Sequence, residues 1–152
     1  MDRAAIGRIY CEAWKAAYRG LVPDEFLDSL TDENCMPPPG KVSDGSCLVY
    51  ESDGNAVGLV SFGPGRESEN IAEIRTIYVL PEKWRGGIGA ELLAAALNEL
   101  KGRGHDRVFL WTLEGNVRAR RFYERRGMQH TRFRKIKIAG KLLTECRYEI
   151  VI

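Results

Sequence analysis

The feature that most limits how this chain can fold is a strand, a glycine-rich turn and a helix within residues 73–100. Residues 74–80 are rich in β-branched and aromatic side chains, which favour a strand, and Pro81 ends that strand. The segment that follows contains three glycines, Trp84-Arg85-Gly86-Gly87-Ile88-Gly89-Ala90. Apolar residues then recur at helical spacing and predict one buried helix face: Ile88, Leu92, Leu93, Ala96, Leu97 and Leu100.

The start of this helix lacks the usual cap. A helix normally begins at Ser, Thr, Asp or Asn, whose side chain accepts a hydrogen bond from a free backbone amide. Here glycines and an arginine occupy that position, so the amides of the first turn have no such partner. Glycine lets a ligand approach the backbone closely, and the helix dipole favours an anion there. The pattern predicts a phosphate or pyrophosphate site, and the alternative is a tight turn ahead of an uncapped helix.

Length and charge set further bounds. The 152 residues predict a single domain over residues 1–152. A net charge of +2 is too small to indicate binding to nucleic acid or to a membrane. We expect a cytoplasmic protein, because the opening residues show no signal peptide and no apolar run is long enough to span a bilayer. The cysteines and histidines show no metal-binding spacing, so we expect reduced thiols and no metal site. These residues are Cys11, Cys35, Cys47, Cys146, His105 and His130.

Hydrophobic periodicity and turn residues divide the whole chain into helices and strands. Helices are predicted over 2–20, 23–30, 88–100 and 117–126, and strands over 47–51, 56–62, 74–80, 108–111, 129–138 and 142–151. Residues 32–46, which include Pro37, Pro38 and Pro39, are predicted to be irregular, as a surface loop or a lid over a site. This order predicts an α/β fold of the mixed α+β kind. Its sheet would be mostly antiparallel, with one parallel βαβ crossover and helices on both faces.

Two separate motifs resemble the acyl-CoA-binding motifs of the GNAT superfamily of N-acetyltransferases. The first is the glycine-rich segment behind the strand. The second, Asn116-x-x-Ala119-x-x-Phe122-Tyr123-Glu124-x-x-Gly127-Met128, follows behind the next strand. The early segment Ala13-Trp14-Lys15-Ala16-Ala17-Tyr18-Arg19-Gly20-Leu21-Val22-Pro23-Asp24 resembles a common bacterial branch of the superfamily. The similarity therefore covers nearly the whole chain and implies a GNAT-like fold.

The chain departs from the family pattern at two points. The glycine motif usually opens with Gln or Arg, whereas this chain has Trp84, as some members do. Members also begin with a β-strand ahead of the first helix, and this sequence starts inside that helix at Met1. Either that strand is absent or the chain is shortened, and absence of the strand would leave one edge of the sheet uncovered.

The resemblance implies that the chain binds acetyl-CoA as co-substrate, without a metal. The backbone amides of residues 85–90 would hold the pyrophosphate, and the backbone of Ile77 and Val79 would pair with the pantetheine arm as an added strand does. Asn116 would contact the same arm, and Tyr123 would stand near the thioester sulfur. The full set assigned to acetyl-CoA is Ile77, Tyr78, Val79, Trp84, Arg85, Gly86, Gly87, Ile88, Gly89, Ala90, Asn116, Ala119, Phe122 and Tyr123.

The implied reaction is attack of a neutral amine on the acetyl thioester, through a tetrahedral oxyanion, with the CoA thiolate leaving. An alkyl amine with a pKa of about 10.4 is mostly protonated at neutral pH, so a base must accept a proton. The family's usual oxyanion donor is a backbone N–H on the central strand, here that of Val79. Tyr123 is the candidate acid, because a phenol with a pKa of about 10 can protonate a thiolate. The alternative for Tyr123 is a core aromatic beside Phe122.

Glu73 is the candidate base. The alternatives are that Glu73 is a surface charge at the start of the strand, or that a chain of water molecules takes the proton instead. Regular alternation would place Glu73, Arg75, Ile77 and Val79 on one face of the strand, and Ile74, Thr76 and Tyr78 on the other. A bulge, which is common in this strand in the family, would break that parity.

The acceptor is predicted to be a primary amine of a small molecule or a peptide. The candidate residues of its pocket are Trp14, Tyr18, Phe62 and Glu73, with core packing as the alternative for the first two. Aromatic side chains together with a carboxylate would suit a cationic amine. Arginines surround the last helix and predict a solvated face, from which one or two side chains reach the 3′-phosphate of CoA. They are Arg118, Arg120, Arg121, Arg125 and Arg126. Many relatives form dimers, so a homodimer is an open alternative.

Three other functions compete with this one. A dinucleotide-binding oxidoreductase is disfavoured, because Leu92 stands where the third glycine of its fingerprint belongs. A non-catalytic acyl-CoA-binding or regulatory module of the same fold is disfavoured by Tyr123, since a pure binder needs no phenol near the sulfur. A nucleic-acid module built on the arginine-rich helix is disfavoured by the small net charge.

Overall fold

The computed structural model describes residues 2–36, 46–68 and 70–152. Its helices are α1 (Arg3–Tyr18), α2 (Asp24–Asp28), α3 (Ile88–Gly102) and α4 (Val117–Arg125), and a 3-10 turn spans Pro81–Lys83. Its strands are β1 (Ser46–Ser52), β2 (Asn55–Pro64), β3 (Ala72–Val79), β4 (Arg107–Leu113), β5 (Gln129–Ile138) and β6 (Lys141–Val151). The predicted proline-rich lid or loop falls largely on residues 37–45, which lie outside the described residues.

The strands form one mixed sheet in the order β1-β2-β3-β4-β6-β5. The β3–β4 pair is parallel, and the other neighbouring pairs are antiparallel. Helix α3 connects the two parallel strands, as a crossover between parallel neighbours requires. The predicted fold class is therefore confirmed, and within the described residues β1 lies at one edge of the sheet.

The helices lie on both faces of this sheet, as predicted. On one face, Leu113 of β4 packs with Cys11 of α1 and Leu27 of α2. On the other face, the ring centroid of Tyr123 in α4 lies 6.0 Å from that of Tyr148 in β6. Helix α3 shares the second face, and most of its predicted apolar stripe is buried there: Ile88, Leu92, Leu93, Ala96 and Leu100. Burial of each large apolar side chain stabilises the fold by about 1.5–3 kcal/mol, which holds the start of α3 in place over the sheet.

A β-bulge at Arg75 changes which residues of β3 share a face. Ser61 of β2 pairs with Thr76, but the next residue, Phe62, pairs with Ile74, so Arg75 is the extra residue of β3. Beyond the bulge, Thr76 and Tyr78 hydrogen-bond to side chains of α1.

The bulge corrects the predicted alternation of β3. Before the bulge, Glu73 pairs with Phe109 of β4. Phe109 is four residues from Leu113 on the same strand, so both side chains lie on the face that packs against α1 and α2. Glu73 therefore shares the α1 face with Thr76 and Tyr78. The extra residue in the strand is the reason that simple alternation, which grouped Glu73 with Ile77 and Val79, is wrong.

Strands β3 and β4 separate soon after they pair. Their register contains only Ala72 with Val108 and Glu73 with Phe109. Beyond that point β3 continues along β2 as far as Val79, and β4 continues along β6 as far as Leu113. Since a bulge bends a strand and increases its twist, the two halves of the sheet diverge and leave a cleft between them.

Candidate active site

The cleft between the diverging strands collects residues from five parts of the chain: α1, β3, the segment before α3, β4 and the start of α4. It is lined by Ala13, Ala17, Tyr18, Ile74, Arg75, Thr76, Ile77, Tyr78, Val79, Trp84, Leu110, Trp111, Thr112, Asn116, Arg118, Ala119 and Tyr123. The cleft therefore contains most of the residues that were assigned to acetyl-CoA on β3, at Trp84 and in the second motif.

The exposed edge of β3 supplies backbone hydrogen-bonding groups to this cleft. The N–H of Leu80 donates to the carbonyl of Val57, so the backbone of Leu80 faces β2. Backbone groups alternate in direction along a strand, and those of Ile77 and Val79 therefore face away from β2 and into the gap left by β4. Their N–H groups are therefore open toward the cleft, and their pairing with an extended ligand, which the family resemblance implies, stays a prediction.

The start of α3 is uncapped, as predicted. Gly87 precedes the first helical residue at φ 81° and ψ 0°, a left-handed conformation that favours glycine, and no side chain caps the helix. The amides of the first turn, beginning at Ile88, therefore have no capping side chain. Gly89 faces α4, since a Cβ there would lie 3.5 Å from the ring of Phe122.

Trp84 and Arg118 form a contact across the two predicted motifs. The guanidinium carbon of Arg118 lies 3.5 Å from the centroid of the Trp84 ring. The Trp84 Nε1 donates to the Val79 carbonyl at 2.9 Å, which fixes the ring against β3. Burial lowers the pKa of Arg118, and the neighbouring charge of Arg85 lowers it further. The sequence predicted a solvated face for Arg118 and the other arginines of α4, and Arg118 is exposed, but it also lies on Trp84 and lines the cleft.

Tyr123 lies on the wall of the cleft and is 6% exposed. Its ring packs edge-on against Phe122 at 5.3 Å and near Tyr148 at 6.0 Å between centroids. Burial raises the pKa of the Tyr123 hydroxyl, the negative charge of an ionised Tyr18 would raise it further, and Arg118 opposes the shift. Tyr123 therefore packs in the core and also borders the cleft, and its role as an acid stays a prediction.

Asn116 caps α4 with its side-chain oxygen, which accepts from the backbone amide of Ala119 at 3.3 Å. The cap uses the oxygen, and the side-chain NH₂ group remains a donor beside the cleft. Asn116 can therefore serve the helix and a ligand at the same time.

Glu73 does not line the cleft. Its side chain is 3% exposed and is held by Arg66, whose Nη2 lies 2.6 Å from Oε1. The backbone N–H and Nε of Arg66 also donate to this carboxylate. A carboxylate bound in this way must be released from Arg66 before it can accept a proton from a substrate. The base role of Glu73 stays a prediction.

The residues predicted for an acceptor pocket are not all in one place. Tyr18 lines the cleft, and Trp14 lies behind it, where its Nε1 donates to the hydroxyl of Tyr78 at 2.8 Å. Phe62 is fully buried, and the guanidinium of Arg103, just beyond the far end of α3, lies 5.4 Å from its ring centroid. The placement of Phe62 in the pocket is therefore corrected, because regular alternation along β2 puts Phe62 on the α3 face with Gly58, and its ring lies in the core there.

Trp111 is a cleft residue that sequence reasoning missed. Residues 108–111 read as a buried strand, and nothing in their pattern distinguished one aromatic ring from the others. In the structure Trp111 is only partly buried and its Nε1 donates to Glu67 at 2.6 Å. The contact joins β4 to the connection between β2 and β3, which could be found only from the fold.

The buried tyrosines of the cleft predict a loss of stability in alkali. Burial raises the pKa of Tyr18 to about 12, although a hydrogen bond with Tyr78 opposes the shift. Below pH 10 the phenol is neutral in both folded and unfolded chains. Above pH 10 the unfolded chain ionises first, so the free energy of unfolding falls until about pH 12, by about 1.4 kcal/mol per pH unit for each such group. Urea denaturation between pH 9 and 12 measures this slope.

The control for this prediction is Tyr18→Phe, which removes one ionising group. We expect the slope of the unfolding free energy above pH 10 to become shallower in this variant. An unchanged slope would show that Tyr18 titrates at its ordinary pKa in the folded protein.

Two further properties concern metal ions and membranes. Within residues 2–36, 46–68 and 70–152, no group of three or more His, Cys, Asp or Glu side chains is arranged to hold a metal ion. In the same part of the chain no helix is long and apolar enough to cross a membrane. The four cysteines are free thiols.

Comparison with known proteins identifies relatives along most of the chain. An uncharacterized N-acetyltransferase of Bacillus subtilis is 27% identical over 147 residues, covering 95% of this chain and 84% of that protein. An uncharacterized N-acetyltransferase of Archaeoglobus fulgidus is 33% identical over 120 residues, covering 76% of this chain and 79% of that protein. These relatives support an acetyltransferase.

A solved structure and a family profile agree with those relatives. The PaiA N-acetyltransferase of Thermoplasma acidophilum, in complex with coenzyme A, has a TM-score of 0.72 over 95% of this chain and 91% of its own, at 21% identity. That likeness shows the fold. The profile of the acetyltransferase (GNAT) family matches residues 5–128, and this chain therefore belongs to that family.

Proposed function

We propose that this protein transfers an acetyl group from acetyl-CoA to a primary amine of a small molecule or a peptide. The observation that supports this most directly is the composition of one cleft. The open backbone edge of β3, the start of α4 and the buried phenol of Tyr123 all border the same space. The uncapped start of α3 follows the cleft residue Trp84 in the chain. A phosphate-bearing thioester requires this combination of anion site, extended backbone edge and proton donor.

The residues present fit acetyl-CoA. The free amides at the start of α3 suit the pyrophosphate, since backbone N–H groups and the helix dipole both favour an anion. Arg85 and Arg118 add positive charge close by, and among the described residues no carboxylate forms an ion pair with either of them. The backbone of Ile77 and Val79 suits the amide groups of the pantetheine arm, which would bind as an added strand. The coenzyme A complex of the Thermoplasma relative supports this assignment.

The bound thioester would supply an activated acyl carbon, and the chain would supply the groups around it. The N–H of Val79 faces the cleft and would stabilise a developing oxyanion. The hydroxyl of Tyr123 would donate a proton to the departing sulfur. The raised pKa of Tyr123 does not remove this role, because the same burial raises the pKa of a thiol that is formed there. Glu73, once released from Arg66, or a chain of water molecules would accept the proton of the amine.

The alternative is a non-catalytic acyl-CoA-binding module of the same fold. Both proposals predict that the protein binds CoA, but only the enzyme is expected to form an acetylated product. Acetyl-CoA-dependent thiol release should therefore be measured over amino acids, polyamines, aminoglycosides and peptides, with mass detection of the acetylated product. Product formed from one acceptor class would support the enzyme. CoA binding without product from any class would favour the binding module.

A further inference from the structure

A network of charged residues surrounds Trp111 where the cleft meets the α1 and α2 face of the sheet. The Nε1 of Trp111 donates to Glu67, and the guanidinium carbon of Arg134 lies 4.0 Å from the Trp111 centroid. The guanidinium carbon of Arg132 lies 5.3 Å from the same centroid, and its Nη2 donates to Glu67 at 2.7 Å. Both arginines are on β5, and both stack on an aromatic ring that lines the cleft.

A buried arginine lies beneath this pair. The side chain of Arg147 is only 9% exposed, and its guanidinium carbon lies 4.3 Å from the centroid of Phe109. It forms an ion pair with Glu149. Its Nε is buried without a hydrogen-bond partner and lies 3.6 Å from a carboxylate oxygen of Glu67, a second ion pair. The two carboxylates compensate the charge of Arg147, while one buried N–H donor is left without an acceptor, which is costly to the fold.

The described residues of this surface carry more positive than negative charge. The arginines are Arg66, Arg107, Arg132, Arg134 and Arg147, and the carboxylates are Glu67, Glu73, Glu145 and Glu149. Each of these carboxylates is already in an ion pair with an arginine. A cationic amine would therefore have to compete with a guanidinium for any carboxylate of this set, which weakens the expectation that a carboxylate here binds the amine.

The exposed members of the network remain able to bind an anion. The side chains of Arg66, Arg132 and Arg134 are 63%, 60% and 41% exposed. A guanidinium has five N–H donors, and the contacts of Arg132 and Arg134 use only some of them. Stacking on Trp111 restrains both guanidinium groups, and a planar donor fork of this kind binds carboxylates in a bidentate manner.

We infer that the acceptor amine carries a carboxylate, which binds to Arg132 and Arg134 beside Trp111. This inference rests on the proposed function and narrows its substrate class. Because Trp111 lines the cleft and the arginines stack on Trp111, the carboxylate and the reacting amine must belong to one compact unit. A free amino acid meets this requirement, and so does a peptide with acidic residues next to its N-terminus.

The test compares acceptors that differ only in the carboxylate. Suitable pairs are L-phenylalanine with phenethylamine, L-lysine with cadaverine, and Ala-Asp-Glu amide with Ala-Asn-Gln amide. For each pair, kcat/KM is measured with saturating acetyl-CoA, and acceptor binding to the CoA-loaded protein is measured by calorimetry. We expect the carboxylate-bearing member to be preferred at least about 10-fold, as charge-assisted hydrogen bonds allow. The amino acid pairs and the peptide pair distinguish the two sources of the carboxylate.

Arg134→Glu is the variant that tests the site, and Lys137→Glu is its matched control. Both positions are on β5 and exposed, and Lys137 points to the opposite face of the strand. We expect Arg134→Glu to reduce the preference for the carboxylate by about 10–100-fold, mainly through KM, with the affinity for CoA unchanged. Lys137→Glu makes the same change in net charge and should leave the preference as it is.

The outcomes separate this inference from the proposed function. A wild-type protein that acetylates both members equally, or prefers the decarboxylated amine, would overturn the inference while supporting the enzyme. An equal loss in Lys137→Glu would also overturn it, because only overall charge would then matter. If no amine is acetylated, the proposed enzyme fails, and calorimetry still decides on the inference. If the acceptor binds only when it carries a carboxylate, and Arg134→Glu abolishes this binding, the site is supported. If binding does not depend on the carboxylate, or is unchanged in Arg134→Glu, the site is contradicted.

Discussion

Tyr123→Phe is expected to lower kcat by about 10²–10⁴-fold, because the variant keeps the ring and removes the proton donor for the departing sulfur. The ring packs against Phe122 and Tyr148, and phenylalanine preserves both contacts. The affinity for CoA should not change, since the predicted anion site is at the start of α3. Single-turnover kinetics with a productive acceptor would measure the chemical step, and calorimetry would measure CoA binding.

Tyr10→Phe is the matched control for this experiment. It removes a phenol hydroxyl from α1, on the opposite face of the sheet, where the hydroxyl oxygen of Tyr10 lies 3.3 Å from that of Thr76. Tyr10 is not among the residues that line the cleft, so kcat should remain within a few-fold of wild type. A Tyr123→Phe variant that turns over as fast as Tyr10→Phe would remove the phenol from the mechanism and leave protonation of the sulfur to water.

Gly87→Asp is expected to weaken CoA binding by about 10–100-fold, the range of one lost charge-assisted hydrogen bond. Two physical effects act together at this position. The φ of +81° is strained for any residue with a side chain, so the turn that presents the α3 amides is disturbed. The new carboxylate also stands at the helix start, where it repels the pyrophosphate and competes for the same amides. Calorimetric titration with CoA measures the change.

Gly104→Asp makes the same substitution beyond the opposite end of α3. Gly104 also has a left-handed φ, of +94°, and in both cases a Cβ would meet nothing within 4 Å. The length of the helix separates this position from the proposed pyrophosphate site, so CoA affinity should stay as in wild type. If Gly87→Asp binds CoA as tightly as Gly104→Asp does, the pyrophosphate does not bind at the start of α3.

Much of the fold followed from local patterns in the sequence. The strand, glycine turn and helix of residues 73–100 could be predicted because hydrophobic spacing and turn residues act over a few neighbouring positions. The same holds for the uncapped start of α3 and for the cap at Asn116. The resemblance of two motifs then identified the family, and the family profile confirmed it.

The sequence alone did not determine the geometry of the candidate site. The bulge at Arg75 appears only in the register between β2 and β3, and it changed the face of Glu73 relative to Thr76 and Tyr78. The burial of Phe62 depended on which face of β2 packs against α3. One extra residue in a strand leaves no mark in the hydrophobic pattern, yet it reverses the direction of every later side chain.

Contacts between distant segments were likewise decided by the tertiary structure. Arg66 holds Glu73, Arg118 stacks on Trp84, and the β5 arginines gather at Trp111. Most of these pairs lie far apart in the chain, and any arginine can pair with many carboxylates or rings. The sequence by itself determined the elements, the family and the groups available for chemistry. Only the fold decided which groups meet, because the divergence of β3 from β4 brings five separate segments to one cleft.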